Sequence, residues 1–360
     1  MKKIFFYINA IHHGGAERVM VNLANCLKDR YECFLITSIR ESWEYPLDEG
    51  VKRISLFEDD LPSSFIKRNL SLTKKLRSLV LKEKPDVLIS FMAEPNFRAI
   101  LSKRNSSTKC IISIRNDPHK EYPNFIFRIA AKILYPFTDG VVFQTKDAKD
   151  YFSKKIQNKS RIIFNQVDEK FYNTPLLSKR EGIITTGRLV DQKNHEMLIR
   201  AFSSVADSVT DNLYIYGEGE LKSHLEDVIR ELHMEQRVFL MGSSKNVPEI
   251  LSKANVFVLS SDFEGMPNSL LEAMAMGLPC ISTDCPCGGP KSIIKNGENG
   301  LLTTVGCADE LSEAIKSICC DTDFKDKIAK NARLSANEFN SETVLNNWIN
   351  YIENVSSEEK

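Results

Sequence analysis

DFEGMPNSLLEAMAMGLPCISTD, Asp262 to Asp284, reads as loop, helix and strand in one short run. Apolar VFVLS (256–260) leads into it as a short buried strand. A Gly–Met–Pro turn follows, Asn268-Ser269 opens a helix, and PCIST (279–283) supplies the next strand. Two strands joined through a helix run parallel, and a parallel sheet meets its ligands at the carboxyl ends of its strands. Glu264 in the loop and Glu272 in the helix stand eight residues apart at that end. The helix start at Asn268–Leu270 turns its unused N–H groups toward the same pocket.

The alternation continues outward in both directions. Upstream lie strand IITTGR (183–188), a helix over His195–Val205, strand LYIYG (213–217), a helix over Glu220–Leu232, strand VFLMG (238–242) and a helical piece at Pro248–Ser252. Downstream come Lys291–Ile294, the turn and strand at Asn299–Leu302, and helices over Asp309–Cys319, Asp323–Phe339 and Thr343–Ile352. The first half opens with strand 3–9, the glycine turn His12–Glu17, and a helix with Val19, Met20, Leu23, Ala24 and Leu27 on one face. Glu32–Ser38 is a strand and 65–84 an amphipathic basic helix; VLIS, CIISIR (110–115) and GVVFQT are further strands. A helix over Lys146–Lys155 and strand RIIFNQVD (161–168) complete this half, and TPLLSKREG (174–182) reads as the linker. Short strands alternating with helices in both halves predict two doubly wound α/β domains. Neither half holds a full G-x-G-x-x-G, which argues against a nicotinamide enzyme.

A length of 360 residues suits two domains of ordinary size. Net charge is zero, but residues 1–180 carry 32 Lys+Arg against 20 Asp+Glu, and the remainder 16 against 28. A basic half joined to an acidic half implies two distinct surfaces, the basic one facing an anionic partner such as a phospholipid surface or a diphosphate-bearing acceptor. The alternative is a plain imbalance of solvated charge. KKIFFYINA reads as a strand rather than a signal peptide, and no run of eighteen apolar residues exists to span a bilayer. Nine cysteines, an odd number in mostly apolar contexts, fit a reducing cytoplasm. Cys280, Cys285 and Cys287 lack zinc spacing, so no metal is expected.

Gly187-Arg188 ends strand IITTG and Lys193 follows five residues later. Two cations at a strand end suit a diphosphate, which needs charge compensation and directed donors. An anion held between them and the Asn268 helix start is neutralised from both sides, as a departing nucleoside diphosphate requires. The alternatives are two surface cations and a helix start that is merely capped.

With EGMPNSLLE as an E-x7-E motif inside EAMAMGLPCI, and with GRLVDQKN, YGEGE, RVFLMG and GGAERV, the chain resembles the retaining glycosyltransferases of family 4 over almost its whole length. That resemblance implies the GT-B fold, two Rossmann-like domains facing across a cleft. It implies an acceptor-binding domain at 1–175, with the C-terminal helix 340–356 packing back on it, and a donor-binding domain at 182–339. It implies that Arg188 and Lys193 grip the donor diphosphate, that Glu272 holds the ribose hydroxyls, and that Glu264 lies at the sugar hydroxyls. Gly265, Met266, Pro267, Asn268, Ser269 and Leu270 resemble the loop that closes on sugar and phosphate. Gly14 and Gly15 resemble the first-domain loop at the diphosphate, Met241-Gly242 the edge that receives the base, and Gly187 and Gly217 the close-packed turns beside the nucleotide. His119 stands where the family places a histidine near the reacting sugar, with Arg115, Asn116 and Asp117 in the same loop as alternatives. The chain departs from the family pattern at Asn165–Asp168 and at Lys291, which replaces a usual acid.

The implied reaction is transfer from a nucleotide sugar, a UDP-hexose or UDP-N-acetylhexosamine, with retention by a front-face route and without a metal or other cofactor. Helix 65–84 carries seven basic residues against one acid, and segment 122–137, YPNFIFRIAAKILYPF, is aromatic-rich. Together they suit an anionic membrane interface. The alternative is that Phe125, Phe127, Ile129 and Leu134 pack the domain core. The expected acceptor is a polyprenyl-diphosphate-linked saccharide at the inner face of the cytoplasmic membrane. A soluble transferase acting on small sugars and a non-catalytic nucleotide-sugar-binding subunit are the rival readings. Nucleic acid is not expected, because no recognition module accompanies the basic surface.

Overall fold

The computed structural model describes residues 1–12, 14–58 and 60–357. The chain divides into two units, one of 1–165 with 342–360 and one of 166–341.

In the first unit seven parallel strands form one sheet: β1 (Lys3–Ile8), β2 (Glu32–Ile39), β3 (Lys52–Phe57), β4 (Val87–Phe91), β5 (Lys109–Ser113), β6 (Gly140–Phe143) and β7 (Ser160–Ile162), in the order β3-β2-β1-β4-β5-β6-β7. The central strands β1 and β4 are buried nearly throughout, as expected where helices cover both faces of a parallel sheet. On one face the helix Gly15–Leu27 buries Val19, Met20, Leu23 and Leu27. The C-terminal helix, Ser341–Ser357, packs beside it with Val344, Trp348, Ile352 and Val355. Trp348 stacks on Phe91 with ring centroids 6.1 Å apart. Tyr351 donates its hydroxyl to the Lys159 carbonyl at 2.6 Å and accepts from the Val141 N–H at 2.8 Å, tying the helix to the far strands.

The second unit has six parallel strands, β8 (Ile183–Thr186), β9 (Leu213–Tyr216), β10 (Val238–Gly242), β11 (Val256–Leu259), β12 (Cys280–Thr283) and β13 (Leu301–Thr303). Their order is β10-β9-β8-β11-β12-β13. The order reverses between β8 and β11, and a crevice opens at the carboxyl ends of two strands that part in this way. Both loops of interest, after β8 and after β11, leave from that point.

Several sequence expectations need correction. Strand β3 went unread because KRISLF is an edge strand in which Leu56 alone is buried, so no apolar run marks it. The helix Ala93–Ser102 went unread because it buries Asn96 and Arg98 alongside Ala99 and Ile100, which masks its apolar period. Lys146–Lys155 is two short helices, Lys146–Asp150 and Lys154–Gln157. Between them Phe152 turns into a ring cluster with Tyr122, Tyr135 and Phe143. RIIFNQVD stays in the sheet only to Ile162. Residues 166–173 belong to the second unit rather than the first. The helix Glu169–Asn173 is held there by Arg333, which donates to the Tyr172 carbonyl at 2.5 Å, and by Tyr172, whose hydroxyl donates to the Ala336 carbonyl at 2.6 Å.

Trp348→Ala should cost the first unit about 3–5 kcal/mol, as large-to-small core changes do. Urea unfolding followed by circular dichroism measures it, and a change below about 1 kcal/mol would contradict the packing described.

Candidate functional site

The rim of the second unit is built from three loops in backbone contact. After β8, Gly187 N–H donates to the Tyr216 carbonyl and Leu189 N–H to the Glu218 carbonyl, both at 2.9 Å. A Cβ on Gly217 would lie 1.8 Å from the Gly187 carbonyl oxygen, and one on Gly219 2.2 Å from that of Leu189. Two glycines of YGEGE are therefore required by the Gly187–Leu189 turn pressing on them. Gly217 N–H in turn donates to the Gly242 carbonyl at 2.9 Å, with Met241 half-exposed at the outer edge.

Opposite, the loops after β8 and β11 are stitched together. Asp262 N–H donates to the Gln192 carbonyl at 2.9 Å, Ser260 Oγ to the Lys193 carbonyl at 2.9 Å, and Asn194 Nδ2 to Asp262 Oδ1 at 2.8 Å. Asn194, in the left-handed region at φ +44°, also caps the helix His195–Val205 by accepting from Met197 N–H at 3.1 Å. This scaffold brings Lys193 Nζ against Glu264 Oε1 in an ion pair whose side chains are only 15% and 9% exposed. Glu264 also accepts from Ser261 Oγ at 2.7 Å and from Gln192 Nε2 at 3.4 Å. Its backbone is fastened to the next loop, Glu264 N–H to the Pro286 carbonyl at 2.7 Å and Cys287 N–H to the Glu264 carbonyl at 3.0 Å. A Cβ on Gly289 would lie 1.7 Å from the Gly265 carbonyl oxygen, so the two loops touch through glycine.

Arg188 stands exposed on the same turn, and its guanidinium makes no hydrogen bond or ion pair among the described residues. The helix Asn268–Met276 begins with Pro267 and carries no side-chain cap. Gly265, Met266, Pro267 and Leu270 are buried, Asn268 and Ser269 half-exposed, and Glu272 is buried one turn in. The structure thus joins Gly187, Lys193, Glu264 and Gly265 directly, with Arg188 alongside. Glu264 is engaged by Lys193 rather than standing apart from it, a link the sequence reading missed.

Sequence reasoning also missed Gln192, Ser261, Gly219, Gly289 and His195. Buried His195 sits under the Gly187–Arg188 backbone, and burial first, then the Lys193 charge, push its imidazole down to about 4. Neither ring nitrogen has a hydrogen-bond partner among the described residues. The only sequence signals for these groups were adjacency to Lys193 and Glu264 and the pairing of glycines.

In the first unit, Gly14 precedes the helix whose first residue is Gly15, just past β1. At Gly14 a Cβ would collide with the Glu17 carboxylate, 1.7 Å away. His119 lies past β5 in the short helix Pro118–Glu121, exposed, with its ring edge-on to Tyr151 at 4.8 Å. Arg115 is buried over the Phe91 ring and bonded to Asn165, and Asp117 is buried as the cap of that helix, accepting from His119 N–H at 3.0 Å. Of the loop's ionisable side chains His119 alone of these three reaches the surface. Among the described residues no group of three or more His, Cys, Asp or Glu is arranged to hold a metal ion.

Two family models match the chain, "Glycosyltransferase Family 4" over residues 13–171 and "Glycosyl transferases group 1" over residues 166–335. A Campylobacter jejuni protein named GalNAc-alpha-(1->4)-GalNAc-alpha-(1->3)-diNAcBac-PP-undecaprenol alpha-1,4-N-acetyl-D-galactosaminyltransferase is 29% identical, with 99% of this chain and 100% of that protein covered. The lipopolysaccharide core biosynthesis glycosyltransferase LpsE of Rhizobium meliloti is 28% identical over 93% of this chain and 95% of its own. Among solved structures, Anabaena Alr3699/HepE in complex with UDP and glucose superposes with a TM-score of 0.84 at 18% identity, covering 98% of this chain and 100% of that one.

Two outcomes follow for the second unit. His195 takes up a proton on unfolding between about pH 6.5 and 4, so it contributes stability that is present above about 6.5 and lost as pH falls through about 4. His195→Gln should flatten that part of a pH series of unfolding midpoints, a difference on the order of 3 kcal/mol across the window. Gly289→Ala should force the Glu264 loop outward, lower stability by about 1–3 kcal/mol and abolish the activity considered below. Unchanged melting and activity in that variant would contradict the contact.

Proposed function

The chain belongs to the family 4 glycosyltransferases, with the GT-B fold, and on that premise we propose that it moves a hexose or N-acetylhexosamine from a UDP-sugar to a polyprenyl-diphosphate-linked saccharide in bacterial surface polysaccharide synthesis. The observation that carries this reading is the second unit's rim. A guanidinium at Arg188 that is unpaired among the described residues, an ammonium at Lys193 and the start of a nine-residue helix at Asn268, without a side-chain cap from Pro267, lie at the carboxyl ends of neighbouring strands β8 and β11. These are the groups a diphosphate needs, two cations and directed N–H donors. The names of similar proteins supply the substrate class: an undecaprenol-diphosphate saccharide for the Campylobacter relative, and UDP for the Anabaena structure.

In the proposed reaction Lys193 and Arg188 take the charge that develops on the leaving diphosphate, with the helix start opposite. Lys193 exchanges part of its bond to Glu264 for phosphate oxygens, which leaves Glu264 to accept from a sugar hydroxyl while Ser261 and Gln192 hold it in place. Glu272 holds the ribose hydroxyls, and His119 is assigned to the reacting sugar. The acceptor hydroxyl attacks on the face the diphosphate leaves, and a phosphate oxygen takes its proton, so configuration is retained. Positive charge from Arg188, Lys193 and the helix start takes the place of a metal.

The acceptor's lipid asks for a membrane surface, and the first unit offers a face for it. Phe125 and Ile126 are each 75% exposed, Ile66 69% and Phe137 67%. Exposed Lys67, Arg128 and Lys132 stand among them. Phe127 and Leu134 are half-buried, and only Ala131 of the helix Phe125–Leu134 is fully buried. Large apolar groups rimmed by cations favour an anionic lipid interface over a soluble sugar transferase. No helix among the described residues is long and apolar enough to cross a membrane; the exposed apolar and basic face supports peripheral binding, on the side where nucleotide sugars are available, the inner face of the cytoplasmic membrane. The presence of Arg188, Lys193, Glu264 and Glu272 together argues against a non-catalytic binding subunit.

Calorimetric titration with UDP should show affinity falling about 10–100-fold in Arg188→Ala and in Lys193→Met, the loss of one charge-assisted contact each. Chelator should leave the affinity unchanged. Binding that survives both substitutions intact would contradict the assigned diphosphate site. In co-sedimentation the chain should partition onto vesicles containing anionic lipid, and Phe125→Ser with Ile126→Ser should return it to the supernatant with its melting temperature unchanged.

A further inference from the structure

Glu121 closes the short helix that follows β5, two residues beyond His119. Its carboxyl folds back toward the strand ends. Oε2 accepts from the Asn116 backbone N–H at 3.3 Å, and the backbone amides of Arg115 and Ala93 also face the carboxyl. Ala93 opens the helix that leaves β4, and β4 pairs with β5 from Val87 to Phe91. Oε1 is sealed from solvent and has no hydrogen-bond partner among the described residues. The charged and titratable groups that face it are the Arg115 guanidinium and the phenols of Tyr122 and Tyr135. Arg115 is turned to Asn165 and Ser113, and the two phenols share a hydrogen bond of 2.7 Å. On the following helix, Arg128 donates to the Tyr122 carbonyl at 3.0 Å and anchors the loop's far end.

We propose that Glu121 is a positioning residue whose carboxyl, bonded to the Asn116 N–H and with Oε1 sealed from solvent, holds the loop Arg115–His119 closed, and so fixes where His119 stands on the rim of the first sheet. The proposal rests on the reading of His119 as a group at the reacting sugar. It has a pH signature. Burial is the main cause that pushes the carboxyl up to about 7. The closed loop therefore favours the neutral form, and an opened loop lets water reach the carboxylate at its ordinary value. Closure is strongest below about pH 4.5, weakens as pH rises, and levels off above about 7. The opening equilibrium shifts on the order of 100-fold in total. Arg115 stays charged throughout, since burial brings it down only to about 9.

The test is amide hydrogen exchange of the full chain from pH 5 to 8, corrected for intrinsic rates, read at Ala93, Arg115 and Asn116. In the native sequence protection should fall as pH rises, and in Glu121→Gln it should stay flat at the acid-side level. The acceptor KM, measured with a UDP-sugar donor over the same range, should rise with pH at nearly constant kcat, and Glu121→Gln should flatten it. Identical exchange profiles in the two proteins would overturn the proposal. So would altered exchange with an unchanged KM profile, because His119 would then not depend on the loop. If Glu121→Gln does not fold, the native profile decides alone. Should no sugar transfer be seen while exchange behaves as described, the assignment to His119 falls with the activity and the carboxyl's hold on the loop stands.

Discussion

The ion pair between Lys193 and Glu264 is the interaction around which the rim of the second unit is built. Removing two charges from water is costly, and a buried pair of this kind does not by itself stabilise a fold. Here it is kept in register by a frame of ordinary hydrogen bonds: Ser260 on the Lys193 carbonyl, Asn194 on Asp262, Ser261 and Gln192 on Glu264 itself. The frame exists because β8 and β11 are neighbours although 71 positions separate the two charged residues. Their loops leave the sheet side by side at the point where strand order reverses, so a cation from one is delivered to a carboxylate from the other. A preorganised ammonium with one exchangeable partner and a free guanidinium beside it suits a ligand whose negative charge grows during reaction.

The first unit works under a different constraint. Its sheet is covered on one face by the helices Gly15–Leu27 and Ser341–Ser357. The helix Phe125–Leu134 lies further out, with Phe127 against Phe65 and Phe97, and turns most of its large side chains to solvent. The loop that bears His119 runs directly into that helix and is bonded to it through Arg128. The exposed apolar face and the loop that bears His119 are thus one continuous segment, Asn116–Leu134. A lipid-linked sugar would meet both along a short path.

Much of this was legible in the sequence. Period and turn chemistry gave the alternation of both halves, and the helix His195–Val205 and the strand Val238–Gly242 stand at the residues expected for them. What escaped was decided by tertiary context. An edge strand with little to bury, β3, leaves no apolar run. A helix that buries a guanidinium, Ala93–Ser102, hides its period. Arg188, Lys193, Glu264 and Glu272 stand out as candidates because charge at strand ends and helix starts is conspicuous. That Lys193 and Glu264 would bond each other was not legible, since strand order sets it. Gln192, Ser261 and Glu121 are polar residues of common type whose roles come from what surrounds them. The aromatic segment 122–137 admitted two readings, core or surface. The structure divides it, with Tyr122 and Tyr135 buried and Phe125, Ile126 and Phe137 exposed.

Sugar transfer from a diphosphate leaving group held by Arg188 and Lys193, with attack on the same face, is tested most directly by the product. The chain would be incubated with a panel of α-linked UDP-sugars and a polyprenyl-diphosphate-linked saccharide, and the new glycosidic bond examined by mass and by the anomeric proton coupling. One added hexose or N-acetylhexosamine in α linkage is expected. A β-linked product would contradict it.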